Sequence, residues 1–157
     1  MDHYDFSTEI PTLGEAKINS PLIGNTKVDE PGKRFVSDHS RIIVDVDADR
    51  LKDGQDPKIS FEQAGPRERI YFDPSKLKCA IVTCGGLCPG LNDIIRSIVL
   101  ELHHIYHVKT IYGIKHGLQG FIPDHGHDVI NLNPDAVSGI QNRGGSMLGS
   151  SRGTQDI

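Results

Sequence analysis

The sequence has no tryptophan, only three cysteines, and aromatic side chains at 6% of its 157 positions. It also lacks any apolar run near the ~18 residues that a membrane-spanning helix needs, which excludes such a helix. Residues Met1 to Glu15 do not carry the cationic-then-apolar pattern of a secretory signal, which argues against export. An odd number of cysteines without that signal points to reduced thiols in the cytosol rather than to a disulfide framework. Basic excess is missing as well: 17 Lys and Arg face 21 Asp and Glu, for a net charge of −4. Non-specific attraction to nucleic acid therefore has no electrostatic basis.

Metal frameworks are absent in the same way. Cys79, Cys84 and Cys88 form no paired C-x2-C, and His125 and His127 are not the i, i+4 pair of a helical zinc site, so no metal ligand is expected among them. Asp45, Asp47 and Asp49 alternate as the solvent face of a strand would, without the glycine and distal glutamate of a calcium loop. After Gly86 neither a G-x-G-x-x-G nor a Gly-Lys-Ser/Thr can be written, which excludes the dinucleotide fingerprint and the P-loop.

What is present is unevenly divided. Residues 1–78 hold 15 acids, 12 bases and 5 of the 17 glycines; residues 79–157 hold 6 acids, 5 bases and the other 12. The chemistry is to be sought where charge thins and glycine gathers. The first stretch reads as an extended arm, with Pro11, Pro21 and Pro31 spaced along it. It contains one or two short strands: the β-branched run Arg41–Val46, and the residues after the breaker pair Gly65-Pro66.

From Cys79 the pattern becomes regular. Cys79–Thr83 is a short apolar run of the kind found in a strand buried on both faces. The glycine-rich Cys84–Gly90 follows, too flexible for helix or strand. Leu91, Ile94, Ile95, Ile98, Val99 and Leu102 then recur at helical spacing and predict one apolar helix face. Val108–Lys115 reads as a strand, which completes a βαβ unit. A second unit is predicted from the strand Asp128–Leu132 and a helix opened by Asn133-Pro134-Asp135 and running to about Gln141. Gly144–Gly153 forms a second glycine- and serine-rich loop that ends beside Arg152.

A glycine loop between a strand's carboxyl end and a helix is a natural phosphate cradle, because backbone N–H groups and the helix dipole both favour an anion. The competing reading is a tight turn with no ligand. Arg152 could likewise clamp a phosphate, or be an ordinary solvated charge.

Taken together, Thr83-Cys84-Gly85-Gly86-Leu87-Cys88-Pro89-Gly90-Leu91-Asn92, Ile95-Arg96, Gly117-Leu118-Gln119-Gly120 and Asn142–Arg152 resemble the N-terminal part of 6-phosphofructokinases in order and spacing. Residues Ala64–Phe72 and the arm before them resemble the ATP-dependent plant and trypanosome-like branch, in which an N-terminal extension precedes the nucleotide-binding domain. The resemblance implies an α/β fold: an incomplete doubly wound parallel sheet over 79–157, a partial ATP-binding domain, preceded by an extension over 1–78. It implies ATP contacts at Gly86, Arg152 and Gly153, with Gly85 as a secondary candidate. Arg96 matches an effector-site arginine of simple bacterial members, but Leu100 stands where a second arginine would be needed.

The family's Mg²⁺ segment, its catalytic base and its fructose 6-phosphate contacts would all lie beyond residue 157. The chain is thus expected to be an N-terminal fragment, inactive alone, with no catalytic residue of its own. The resemblance further implies a cytoplasmic, homo-oligomeric enzyme when full length, with no nucleic-acid or membrane partner. Two alternatives stay open: a pyrophosphate-dependent relative, and a non-catalytic nucleotide-binding module if the chain is complete.

Overall fold

A computed structural model describes residues 7–23, 35–44 and 59–152. The chain divides into two compact units, Met1–Tyr71 and Phe72–Ile157. The aspartates Asp45, Asp47 and Asp49 lie outside the described residues, as does Gly153.

In the first unit four short strands form two antiparallel pairs. Strand β1 (Ile18–Asn19) pairs with β4 (Arg69–Ile70), and β2 (Arg41–Ile43) pairs with β3 (Ser60–Glu62). Little apolar burial supports them: Ile42, Val44 and Phe61 are exposed, and Leu22 is the unit's one buried hydrophobic side chain among the described residues. Polar ties take over that role. Arg67 donates to the carbonyls of Ser37 and Gln63 and pairs with Glu62 at 2.8 Å, so one guanidinium ties the Ser37 stretch to the end of β3. The sequence led us to expect one or two strands here; the pairs form between segments up to 52 residues apart, as between Ile18 and Ile70.

The second unit carries the apolar core. Strand β5 (Lys78–Val82), helix α1 (Leu91–His104) and strand β6 (Thr110–Ile114) form the predicted unit, with β5 and β6 parallel from Lys78↔Thr110 to Val82↔Ile114. Strand β7 (Val129–Asn131) joins the other side of β6 antiparallel, with Gly113 opposite Ile130. A parallel return needs a long crossover, usually a helix. Here the connection folds instead into two 3₁₀ turns, Gly117–Phe121 and Pro123–His125, and the chain comes back in the opposite sense. An antiparallel edge strand is common on otherwise parallel α/β sheets.

Helix α1 lays Ile95 and Val99 against Val108 and Ile111, and Leu132, Val137, Ile140 and Leu148 complete the cluster. The predicted helix face is wider than the surface it covers, for Ile94 and Ile98 stay 55% and 40% exposed. Strand β5 departs from expectation similarly. Cys79 and Ile81 pack on the core while Lys78 and Ala80 are exposed, so among the described residues the strand is covered on one face, and it stands at the end of the order β5-β6-β7.

The second predicted helix, Asn133 to Gln141, is reduced to one turn. Its cap forms as expected, with the Ala136 N–H donating to Asn133 Oδ1 at 2.8 Å and Val137 N–H to the Asn133 carbonyl at 3.2 Å. Gly139 then adopts φ +75°, a left-handed conformation that ends helical hydrogen bonding, and a 3₁₀ turn follows at Ile140–Asn142. Val137 before the break and Ile140 after it both pack in the core.

Candidate functional site

Both glycine loops lie past the carboxyl ends of the parallel strands. The first leaves β5 through Thr83 and runs to Gly90, which starts α1 in the left-handed region (φ 87°) without a capping side chain. The second, Arg143 to Arg152, is anchored from below by the core. Leu148 is 1% exposed and packs over Gly113, where a methyl group would come within 2.6 Å of its Cδ2. The Leu148 carbonyl accepts the His116 N–H at 2.8 Å, which ties the loop to the end of β6.

Hydrogen bonds then stitch loop to loop. Gly85 (φ 85°) donates its N–H to the Ser151 carbonyl at 3.1 Å and accepts the Ser150 hydroxyl on its own carbonyl. Thr83 Oγ1 bonds to Ser146 Oγ at 2.9 Å and donates to the Gly149 carbonyl. Asn92, 2% exposed in the first turn of α1, spans the stem. Its Nδ2 donates to the Arg143 carbonyl at 2.9 Å, and its Oδ1 accepts the Met147 N–H at 2.7 Å. Buried amide groups cost free energy unless paired, so this residue satisfies itself and two backbone groups at once.

The outcome is that Arg152 reaches Gly86. A methyl group built on Gly86 would stand 3.2 Å from Arg152 Nη2 and 4.0 Å from its Cζ. Of the residues singled out from sequence, Gly85, Gly86 and Arg152 come together. The two glycines differ in kind: Gly85 commits its amide and carbonyl to the second loop, whereas Gly86 lies beside the guanidinium. A bare backbone next to an exposed guanidinium at the mouth of a βα turn suits a phosphate-bearing ligand, which Arg can hold with paired N–H groups. Sequence reasoning missed Thr83, Asn92, Ser146, Ser150 and Ser151 as the groups that close the site. The serine enrichment of the second loop was the available signal, but partners 51 to 66 residues away are invisible to local patterns.

Other chemistry-bearing groups stand apart from that contact. Cys79 is partly buried, and desolvation pushes its thiol above the ordinary value, while Cys84 and Cys88 are exposed. His127 lies against His116 in a tilted pair, 4.4 Å between ring centroids, and stacks with His125 at 5.9 Å. Partial burial, together with the positive charges of His116, His125 and Lys115, holds His127 below the usual imidazole value, against the opposing pull of Asp128. Among the described residues no group of three His, Cys, Asp or Glu side chains is arranged to hold a metal ion. No helix among them is long and apolar enough to cross a membrane.

Comparison with known proteins gives a consistent picture. The family described as Phosphofructokinase matches residues 78–156. The ATP-dependent 6-phosphofructokinase of Borreliella burgdorferi is 48% identical over 152 residues, which cover 97% of this chain and 33% of that protein. The enzyme of the same name from Trypanoplasma borreli is 38% identical over 100% of this chain and 34% of its own length. ATP-dependent 6-phosphofructokinase 4, chloroplastic, of Arabidopsis thaliana is 45% identical over 68% of this chain and 19% of its own. The chain spans about a third of the length of the first two relatives.

Proposed function

The chain belongs to the phosphofructokinase family, and on that premise we propose that the protein carrying it transfers the γ-phosphoryl group of ATP to the 1-hydroxyl of fructose 6-phosphate. The observation that carries this reading is the Arg152 guanidinium beside Gly86, with Nη2 3.2 Å from where a methyl group on Gly86 would stand. In phosphoryl transfer the protein chiefly positions groups and neutralises charge. On this reading Gly86 lets the phosphate chain approach the backbone, Arg152 holds a phosphate oxygen, and Gly85 keeps the turn closed on the second loop. Gly153, the next residue, is assigned to ATP by the family resemblance alone. Residues 79–157 form part of the ATP-binding domain, and 1–78 the extension before it.

Mg²⁺ supplies charge neutralisation on the phosphates when bound. Its ligands, together with the base and the sugar-phosphate contacts, are assigned beyond residue 157 on the family resemblance. No step in this segment passes through the metal. ATP is favoured over pyrophosphate as donor by the names of the relatives, each printed as ATP-dependent. The full-length protein is assigned to the cytoplasm as a homo-oligomer, with no nucleic-acid or membrane partner. The test is a coupled assay of the full-length protein with fructose 6-phosphate and either donor. Turnover with ATP and none with pyrophosphate supports the reading; the reverse establishes the pyrophosphate-dependent alternative, and no turnover with either leaves a non-catalytic nucleotide-binding module.

A further inference from the structure

The Gly85 N–H to Ser151 carbonyl tie between the loops runs from backbone to backbone and cannot be altered by a simple side-chain substitution. One that can is the Thr83 hydroxyl, at the point where β5 ends and the first glycine loop begins. A hydroxyl has one proton to donate and two lone pairs to accept with. Thr83 gives its proton to the Gly149 carbonyl, so the 2.9 Å contact to Ser146 Oγ is made with Ser146 donating. Ser146 Oγ in turn accepts the Leu148 N–H at 3.2 Å. Both bonds of Thr83 therefore go to the second loop, across 63 and 66 residues of sequence.

The backbone beside it leaves no slack. At Gly117 an added methyl group would lie 3.1 Å from the Thr83 carbonyl oxygen and 2.8 Å from the Ser151 nitrogen, so strand end, second loop and the turn after β6 are packed main chain to main chain. Gly149 stands three residues before Arg152 and has φ +69°, a left-handed conformation that glycine adopts without a steric penalty, so the loop relies on its hydrogen bonds to hold that peptide in place.

We propose that Thr83 is a positioning residue: its hydroxyl fixes the second glycine loop at Ser146 and Gly149 and thereby sets where Arg152 stands beside Gly86. The inference rests on the reading of these loops as the ATP cradle, and it adds a residue that touches no ligand. It requires that Thr83 act on ATP through Arg152 and not on the sugar phosphate.

The test uses the full-length enzyme with Thr83→Val, which keeps the branched shape and removes the hydroxyl, and Thr83→Ser, which keeps the hydroxyl. Loss of one or two neutral hydrogen bonds predicts that Thr83→Val raises KM for ATP about five- to tenfold. KM for fructose 6-phosphate stays at its wild-type value, and Thr83→Ser restores the ATP dependence. Ser146→Ala removes one of the same two bonds and gives a smaller rise in KM for ATP, which keeps the test in hand if Thr83→Val does not fold. If Arg152→Ala raises KM for ATP while Ser146→Ala and any folded Thr83→Val leave it unchanged, Thr83 is structural only and the inference is overturned. Failure of Thr83→Ser to restore ATP use overturns it too, since the methyl group would then be what matters. If Arg152→Ala also leaves KM for ATP unchanged, the cradle reading itself is wrong.

Discussion

Gly85 and Gly86 are adjacent and chemically identical, yet the structure gives them different liabilities, and replacing each by alanine separates structure from function. Gly86 has an ordinary backbone conformation, so alanine brings no backbone strain. Its methyl group would instead stand 3.2 Å from Arg152 Nη2 and must push the guanidinium aside by a few tenths of an ångström. It would also fill the space through which a phosphate approaches. A charge-assisted hydrogen bond is worth about 1.5–3 kcal/mol, so Gly86→Ala should lower kcat/KM for ATP roughly 10- to 150-fold. The melting temperature and the dependence on fructose 6-phosphate should not change.

At Gly85 the logic inverts. The space around an added methyl is open, with nothing within 4 Å, but φ is +85°, where an L-residue costs about 1–2 kcal/mol. Gly85→Ala should therefore lower the unfolding free energy by about that amount, measured by denaturant titration. Its effect on ATP use at low temperature, where the fold persists, should be the smaller of the two. Steady-state kinetics and denaturant titration on both full-length variants decide it. A Gly86→Ala protein that melts early but uses ATP normally would refute the assignment of the two roles.

Asn92→Ala should destabilise the protein by about 1–3 kcal/mol, because it removes the partners of the Met147 N–H and the Arg143 carbonyl in a partly buried stem; chemical denaturation reads this directly. Leu148→Ala should cost about 2–5 kcal/mol, since it opens a cavity over Gly113 at a side chain 1% exposed. His127, held below its ordinary 6.5 in the folded chain, takes its proton more readily when unfolded. Its contribution is therefore nil well above pH 6.5 and destabilising as pH falls through 6.5 toward the folded value. The melting temperature should accordingly fall more steeply on acidification for the wild type than for His127→Gln, and parallel curves would contradict this. Thiol labelling followed by peptide mass spectrometry should modify exposed Cys84 and Cys88 before partly buried Cys79.

The βαβ unit was legible in the sequence because its elements are long enough to show a period. Ile95, Val99 and Leu102 mark the buried side of α1, and the glycines mark where β5 stops. The single turn after Asn133 was legible only at its start, where a cap and a proline announce a helix. Nothing local shows that Gly139 takes a positive φ, since glycine permits that conformation without requiring it. The outward exposure of Ile94 and Ile98 was also hidden, because periodicity reports which residues are apolar and not how wide a surface waits to receive them.

For the candidate site, sequence located the two loops and the three residues that meet, but not the means by which they meet. Thr83, Asn92 and the serines act through partners more than 50 residues away, and hydroxyl and amide side chains of this kind look like ordinary loop polarity. In the first unit β2 and β4 fall in the stretches expected from sequence, whereas their partners β3 and β1 escaped for a related reason. Two- and three-residue strands carry almost no alternation, and their pairing is set by polar ties such as those of Arg67 rather than by a buried face.

The proposed ATP cradle depends most directly on Arg152 and Gly86 holding one phosphate between them. Equilibrium binding of ATP to the full-length protein, wild type against Arg152→Ala, measures that contact without turnover. Loss of a charge-assisted bond to phosphate predicts roughly 10- to 150-fold weaker binding, with the difference shrinking as salt is raised because Arg152 is exposed. Equal affinity of the two proteins for ATP at low salt would contradict the account.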